Sequence, residues 1–434
     1  MKTISPQQLA EMLTEHGKWL TGDDGGKRAD LSNVDLSGFC LSGANLCGTH
    51  MSCSNLSGAQ LSGANLSHVD LENTNLSNVN MHKTKLSHAN LSGADLSGAI
   101  MSEANLSGAN LCGGNMAGVD LSNANLYKAD LSNSTLDGAN LTNANLCYIK
   151  LFGANMPDTN LSGANLSDAN LTAVNLSNAN LSKANLFNTK LAGAKMSGVT
   201  MSGTKLLMAK LPGADLSGAR IENITIHRSD ISNENMVKVN MFNVTISDTD
   251  LSGANLSEMG FERITGYKID LSNAYMVGIN AHFFAMTFSN FCQANLSHAN
   301  LDHVNLYHGN LSTADLSYTT MTDANLESAN LSHANLSSSV VSHANLKFID
   351  LSYADLRDSD LSYSDMYKTN LTNANMSGAN LTGTNLESAN LSGAILSGAN
   401  IIGAHFKNAN LTETDLFTAN MGGSDKVADF QIRL

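Results

Sequence analysis

The sequence predicts an all-β solenoid, and three observations carry that prediction. An apolar residue recurs at almost every fifth position, the register runs from Leu31 to Met421 without an insertion or deletion, and a small residue usually sits two places before the apolar one. Period five fits neither an amphipathic helix at 3.6 nor a long flat strand at 2. Fixed-period self-similarity marks a repeat architecture, in which each unit packs on its neighbours and stability accumulates unit by unit. The length of 434 residues therefore does not imply several globular domains, although a single ordinary core rarely grows past about 250–300 residues.

The first unit is Ala29-Asp30-Leu31-Ser32-Asn33, and 79 such units follow one another, one per five residues, up to the unit centred on Met421. The centre is Leu, Met, Ile, Phe or Val except at Gly266 and Ala281. Ahead of it stand a small residue, usually Ala, and then Asn or Asp, as in Ala44-Asn45-Leu46. Small inward, polar outward, large inward is the alternation of a short extended segment. The Ser-Gly pair that often follows suits a turn, and where Gly takes the third turn position a type II geometry costs nothing in φ.

The chain carries 38 acidic and 24 basic residues, a formal charge of −14, which disfavours sequence-independent binding to nucleic acid or to anionic membrane. Residues 1–20 lack a continuous apolar run, and no stretch of about 18 apolar residues occurs, so an unprocessed, cytoplasmic chain is expected. Cys40, Cys47, Cys53, Cys112, Cys147 and Cys292 are irregularly spaced with no CxxC pair, which reads as free thiols in a reducing compartment. No GxSxG elbow, P-loop or HExxH is present, and isolated Ser, His and Asp are what the repeat itself supplies. Neither enzymatic activity nor a cofactor is expected.

Written literally at 94–98 as Ala-Asp-Leu-Ser-Gly, the unit resembles the A(D/N)LxX pattern of the pentapeptide-repeat family over about nine-tenths of the chain. The resemblance implies a right-handed quadrilateral β-helix with four units per coil, hence about 20 coils and a rod of roughly 95 Å at ~4.8 Å per coil. It divides the chain into a helical cap at 1–28, the β-helix at 29–423 and a C-terminal cap or dimerisation tail at 424–434. Ser5-Pro6-Gln7-Gln8 reads as a capping box with Pro at the first helical position, and Leu9, Met12 and Leu13 share one face of the helix that follows. In the tail, Val427, Phe430 and Ile432 alternate, which suits either a cap or the C-terminal dimer that members of the family often form. Between Arg220 and Phe291 the inward small position enlarges to Ile224, Val239, Val244, Ile264, Ile269, Ile279 and Phe284. Ile264 and Ile279 sit beside the two undersized centres, so large and small exchange places within a unit and volume is conserved.

Four units per coil stack residues twenty apart and sort the charges by face. The faces named for Leu31, Leu36, Leu41 and Leu46 carry net charges of −6, −8, −3 and +3. The basic Leu46 face also bears Tyr127, Tyr148, Phe187 and, further on, Tyr267, Lys268, Phe288, Tyr307, His308, Lys347, Phe348, Tyr367 and Lys368. Aromatic rings beside cations are common at binding hot spots, and they also serve to brace adjacent coils. That strip, from Tyr267 to Lys368, is the expected surface for another protein. The alternative is the acidic side, Asp230, Asp250, Asp270, Asp315, Asp350 and Asp355, read as a DNA mimic toward a type II topoisomerase such as gyrase, which the best-known relatives bind. The charge suits this less well, because −14 over ~95 Å is one charge per ~7 Å, against one per ~1.7 Å in duplex DNA. His303, Asp323 and His343 share a corner, but ligands about two coils (~10 Å) apart cannot reach one zinc ion.

Overall fold

A computed structural model describes residues 1–422, in two compact units, Met1–Ile224 and the chain from Thr225 onward. The C-terminal tail expected at 424–434 lies outside the described residues. Each unit is a β-solenoid of stacked parallel pairs. In the first unit Leu41 donates its N–H to Gln60 O at 2.7 Å, and Gln60 donates to Phe39 O at 2.9 Å. Isolated parallel bridges join residues twenty apart in both units, as in Asn90↔Asn110 and Asn310↔Asn330. One turn of the chain therefore takes four five-residue units.

The repeat residues explain the coil. A centre carbonyl accepts from the residue three on, as in Ala44 N–H to Leu41 O at 3.0 Å, which closes a turn. Every residue two after a centre, from Asn33 to Thr418, has φ between 47° and 72°. Because that position is i+2 of the turn and the preceding residue is not left-handed, the turn is type II. The sequence pointed to this geometry only where Gly stands, yet Asn, His, Lys, Tyr and Phe adopt it too. Where Asn or Asp precedes a centre its Oδ1 accepts the N–H two residues on, as Asn55 Oδ1 does from Ser57 at 3.2 Å, and an Asn amide donates to the residue twenty before, as Asn55 Nδ2 does to Asp35 Oδ1 at 3.0 Å. Inward Thr in place of Ala keeps its hydroxyl satisfied, Thr84 Oγ1 donating to Leu61 O at 2.9 Å.

In the first unit, the helix Pro6–Thr21 starts on the predicted capping box, with Ser5 Oγ accepting from Gln8 N–H at 3.2 Å and Gln8 Oε1 from Ser5 N–H at 2.9 Å. Leu9 is buried while Met12 and Leu13 are half-buried. His16, which the sequence did not single out, is fully buried and stacks on Trp19 at 5.4 Å. Lys2–Thr3 pairs in parallel with Val34–Asp35 and so covers an edge of the first coil.

The second unit contains the irregular coils. The eight-residue strands Asn240–Ser247 and Gly260–Tyr267 pair in parallel register, flanked by Thr225–His227 and Ala285–Thr287. All the enlarged inward residues from Val239 to Phe284 are buried. The space left by Gly266 is taken by Ile269 of the next unit together with Met286, whose Cδ1 and Cγ would lie 2.6 and 2.9 Å from an added Cβ. Gly266 itself is half-buried, and two further departures from the expected inward centres occur. Phe261 is only half-buried, and the centres from Phe406 to Met421 are half-buried as well. Glu234, overlooked in the sequence, fills an inward small position at 1% exposure.

Candidate functional site

Two clusters of rings and cations form on the second unit from the strip expected between Tyr267 and Lys368. In the first, Phe288 meets Tyr267 edge-on at 5.6 Å and Tyr307 edge-on at 5.7 Å, and stacks on His308 at 5.0 Å. Tyr307 and His308 touch at 4.2 Å, and Lys268 Nζ lies 5.1 Å over the Tyr267 ring. In the second, Phe348 meets Tyr367 edge-on at 5.8 Å, with Lys368 Nζ 5.1 Å over that ring. The geometry follows from the coil, because residues at 267, 287, 307 and at 268, 288, 308 occupy adjacent columns ~4.8 Å apart along each column. Phe288 and Phe348 are exposed, while Tyr307 and Tyr367 are half-buried by their neighbours.

Lys347 behaves differently from the other cations. Its Nζ is 2.9 Å from Asp365 Oδ2, and this contact, with Glu327 adding to it, raises the lysine pKa above its ordinary value. It is a neutralised member of the strip. In the first unit a smaller cluster repeats the arrangement: Tyr127 and Tyr148 meet edge-on at 5.8 Å, with Lys128 over both rings.

The acidic alternative is built of half-buried carboxylates. Asp315 Oδ1 accepts from Ser317 N–H at 3.1 Å and from Asn335 Nδ2 at 3.0 Å, and Asp350 is held in the same way by Ser352 and Asn370. Asp355 is gripped by Arg357 at 2.6 Å, and that hydrogen bond holds its carboxyl below the usual range. Asp230, Asp250 and Asp270 stack in one bridged column, each accepting the N–H of the Ser two residues on.

The histidine corner is not drawn together into one site. His303 Nδ1 lies 3.7 Å from Asp323 Oδ2 and its ring stacks on Phe283, whereas His343 stacks on Tyr363. Parallel ring stacks at other corners, His298 on Tyr318 and His333 on Tyr353, were missed in the sequence. Their signal was a His and a Tyr twenty residues apart. Among the described residues, no group of His, Cys, Asp and Glu could hold a metal ion, and no helix is long and apolar enough to cross a membrane.

No curated protein matches the chain. Among solved structures, HetL from Nostoc sp. strain PCC 7120, a pentapeptide repeat protein involved in heterocyst differentiation regulation, is 28% identical over 60% of this chain and 94% of its own, with a TM-score of 0.21. Rfr23 from Cyanothece 51142 is 26% identical over 34% of this chain and 90% of its own, with a TM-score of 0.15. Full-length QnrB1, a plasmid-mediated fluoroquinolone resistance protein, is 14% identical over 49% and 92%, with a TM-score of 0.17. The assignment rests on the repeats themselves and not on these superpositions. The family of pentapeptide repeats matches residues 29–67, 64–102, 104–143, 139–178, 179–218, 285–317, 310–347, 342–378 and 379–416, the long unmatched stretch containing the two eight-residue strands, so the chain belongs to the pentapeptide-repeat family.

Proposed function

We propose that this protein is a non-enzymatic scaffold that docks another protein through the aromatic and cationic strip between Tyr267 and Lys368. The observation that carries the reading is the contiguous cluster Tyr267, Lys268, Phe288, Tyr307 and His308, continued by Phe348, Tyr367 and Lys368. Rings held by their neighbours on a rigid ladder have little conformational entropy left to lose on binding, and aromatic residues with nearby cations dominate interface energetics. The proposal includes a right-handed quadrilateral β-helix of about 20 coils spanning 29–423 after a cap at 1–28, a cytoplasmic location, and a homodimer through residues 424–434.

The second reading, an acidic DNA mimic toward a type II topoisomerase, draws on the Asp230, Asp250 and Asp270 column. It is the weaker one, because Asp315 and Asp350 spend one oxygen on ladder hydrogen bonds and Asp355 is neutralised by Arg357. Replacing Tyr307, Phe348 and Tyr367 together by Ser separates the two. The triple variant is expected to fold and to lose the partner that wild type captures from native lysate at both low and high salt. If it keeps that partner while Asp315→Asn with Asp355→Asn abolishes capture, the acidic reading replaces this one.

A further inference from the structure

The residues that precede the centres form amide ladders with one direction throughout. Asn140 Nδ2 donates to Asp120 Oδ1 at 2.9 Å, and Asn380 Nδ2 donates to Asp360 Oδ1 at 2.9 Å, each toward the residue twenty before. In the second unit this column runs Asn240, Gly260, Asn280. The backbone of Gly260 keeps its place, bridging Asn240 on one side and Asn280 on the other, but its side chain is missing. At Gly260 the column keeps its backbone pairing and lacks the side chain that would make a rung.

The gap has a defined chemistry. Asn240 Oδ1 lies 3.6 Å from where a Cβ on Gly260 would stand, so it faces the vacant rung and has lost the donor that a longer side chain there would supply. Asn280 Oδ1 is engaged by His282 Nδ1 at 3.0 Å, which leaves Nδ2 as the group that has lost its acceptor. Both asparagines are exposed, whereas Asn140, Asn160, Asn380 and Asn400 in intact parts of the same column are half-buried. At this position a shallow, open cleft is lined by Asn240, Gly260, Asn280, Phe261, Glu262 and His282. Phe261, the half-buried centre, gives it an apolar wall.

We propose that this cleft binds a carboxamide, presented by a partner protein as a glutamine or asparagine side chain that takes the place of the missing rung. The guest amide donates to Asn240 Oδ1 and accepts from Asn280 Nδ2, as the amide of a regular ladder asparagine would in place of Gly260, while its methylene stem lies against Phe261. A carboxylate has no donor for Asn240 and brings a second negative charge beside Glu262. An ammonium group has donors but leaves the Asn280 amide without an acceptor. This site lies apart from the aromatic strip and does not rest on it.

The test uses N-acetyl-glutamine-N′-methylamide and the matching glutamate and lysine derivatives as probes, titrated into the full chain and followed by amide chemical shifts. Saturable shifts at Gly260, Phe261 and His282 are expected with the glutamine derivative, with about tenfold weaker binding of the other two, the equivalent of one net hydrogen bond lost at about 1.4 kcal/mol. A structural readout accompanies it. Gly260→Asn is expected to raise the melting temperature more than Gly260→Ala, which gains the same backbone restriction without a rung, and to abolish the glutamine-derivative shifts. The absence of saturable shifts, equal binding of the lysine derivative, or a Gly260→Asn variant no more stable than Gly260→Ala would each overturn the proposal.

Discussion

Restoring the consensus at Gly266 is expected to harm the protein. An added Cβ there would stand 2.6 Å from Ile269 Cδ1, 2.9 Å from Met286 Cγ and 3.4 Å from Ala285 O. Ile269 and Met286 are each 1% exposed, so neither has open space to retreat into. A leucine placed in an empty site would gain about 0.8 kcal/mol per buried methylene, but forced into a filled one it costs about 1–3 kcal/mol. The nearest atom is the end of a flexible side chain, which places Gly266→Leu toward the middle of that range. Ile269→Ala alone empties a packed position and is expected to cost about 2–5 kcal/mol. The double variant lets the new leucine fill what the isoleucine vacated, so it should be less destabilised than the sum of the two by about 1–3 kcal/mol. A repeat chain need not unfold in one step, so thermal melting should be read alongside hydrogen exchange at Thr265 and Met286. Stabilisation by Gly266→Leu alone, or costs that add to within about 0.5 kcal/mol, would refute the exchange of volumes.

The other undersized centre gives the opposite expectation: Ala281 borders a small apolar void lined by Met276, Ile279, Phe284 and Phe291, so Ala281→Val should be neutral or stabilising by up to about 1 kcal/mol in thermal melts. Asp250→Asn should stabilise the free protein by about 1 kcal/mol, because it removes like charges ~4.8 Å apart and supplies an amide to donate to Asp230 as Asn290 does to Asp270; a loss of stability would show that the column is internally satisfied. Thr313→Gly should raise the melting temperature, since a β-branched residue at φ 58° carries left-handed strain of about 1–2 kcal/mol that exceeds the added chain entropy of glycine. At the N-terminus, burial holds the His16 pKa below 6.5, opposed by the Cys47 backbone and reinforced by Arg28, and its Nδ1 must stay unprotonated to accept the Ala29 N–H at 3.2 Å. Its contribution to stability is therefore complete above pH 6.5 and is lost as pH falls toward the lowered folded value, a dependence that His16→Gln should flatten in melts between pH 7.5 and 5.

Much of this was legible because one number governs the chain. Once the period of five and the coil of twenty are set, the column that holds Tyr267, Tyr307 and Tyr367 follows by arithmetic, and so does the inward place of the centres outside Phe261, Gly266 and the stretch from Phe406 to Met421. What arithmetic does not supply is contact across columns. Lys347 and Asp365 are 18 residues apart, so they lie two columns apart on successive coils, and only side-chain reach shows that the lysine is neutralised at 2.9 Å. The left-handed corner was hidden for a different reason. Glycine announces positive φ, but the turn imposes it on whatever residue occupies the position, so Tyr318, Tyr353 and Tyr363 are held at φ of 57° to 60°. Because that one backbone conformation recurs at every corner, it aims side chains twenty residues apart along the same line, and this is why His298, His333 and His343 find a ring partner within 4.9, 4.8 and 5.2 Å. The same reasoning explains the cleft at Gly260. A missing side chain in a periodic sequence reads as drift, yet on a ladder it leaves Asn240 Oδ1 3.6 Å from the place where a Cβ of residue 260 would stand.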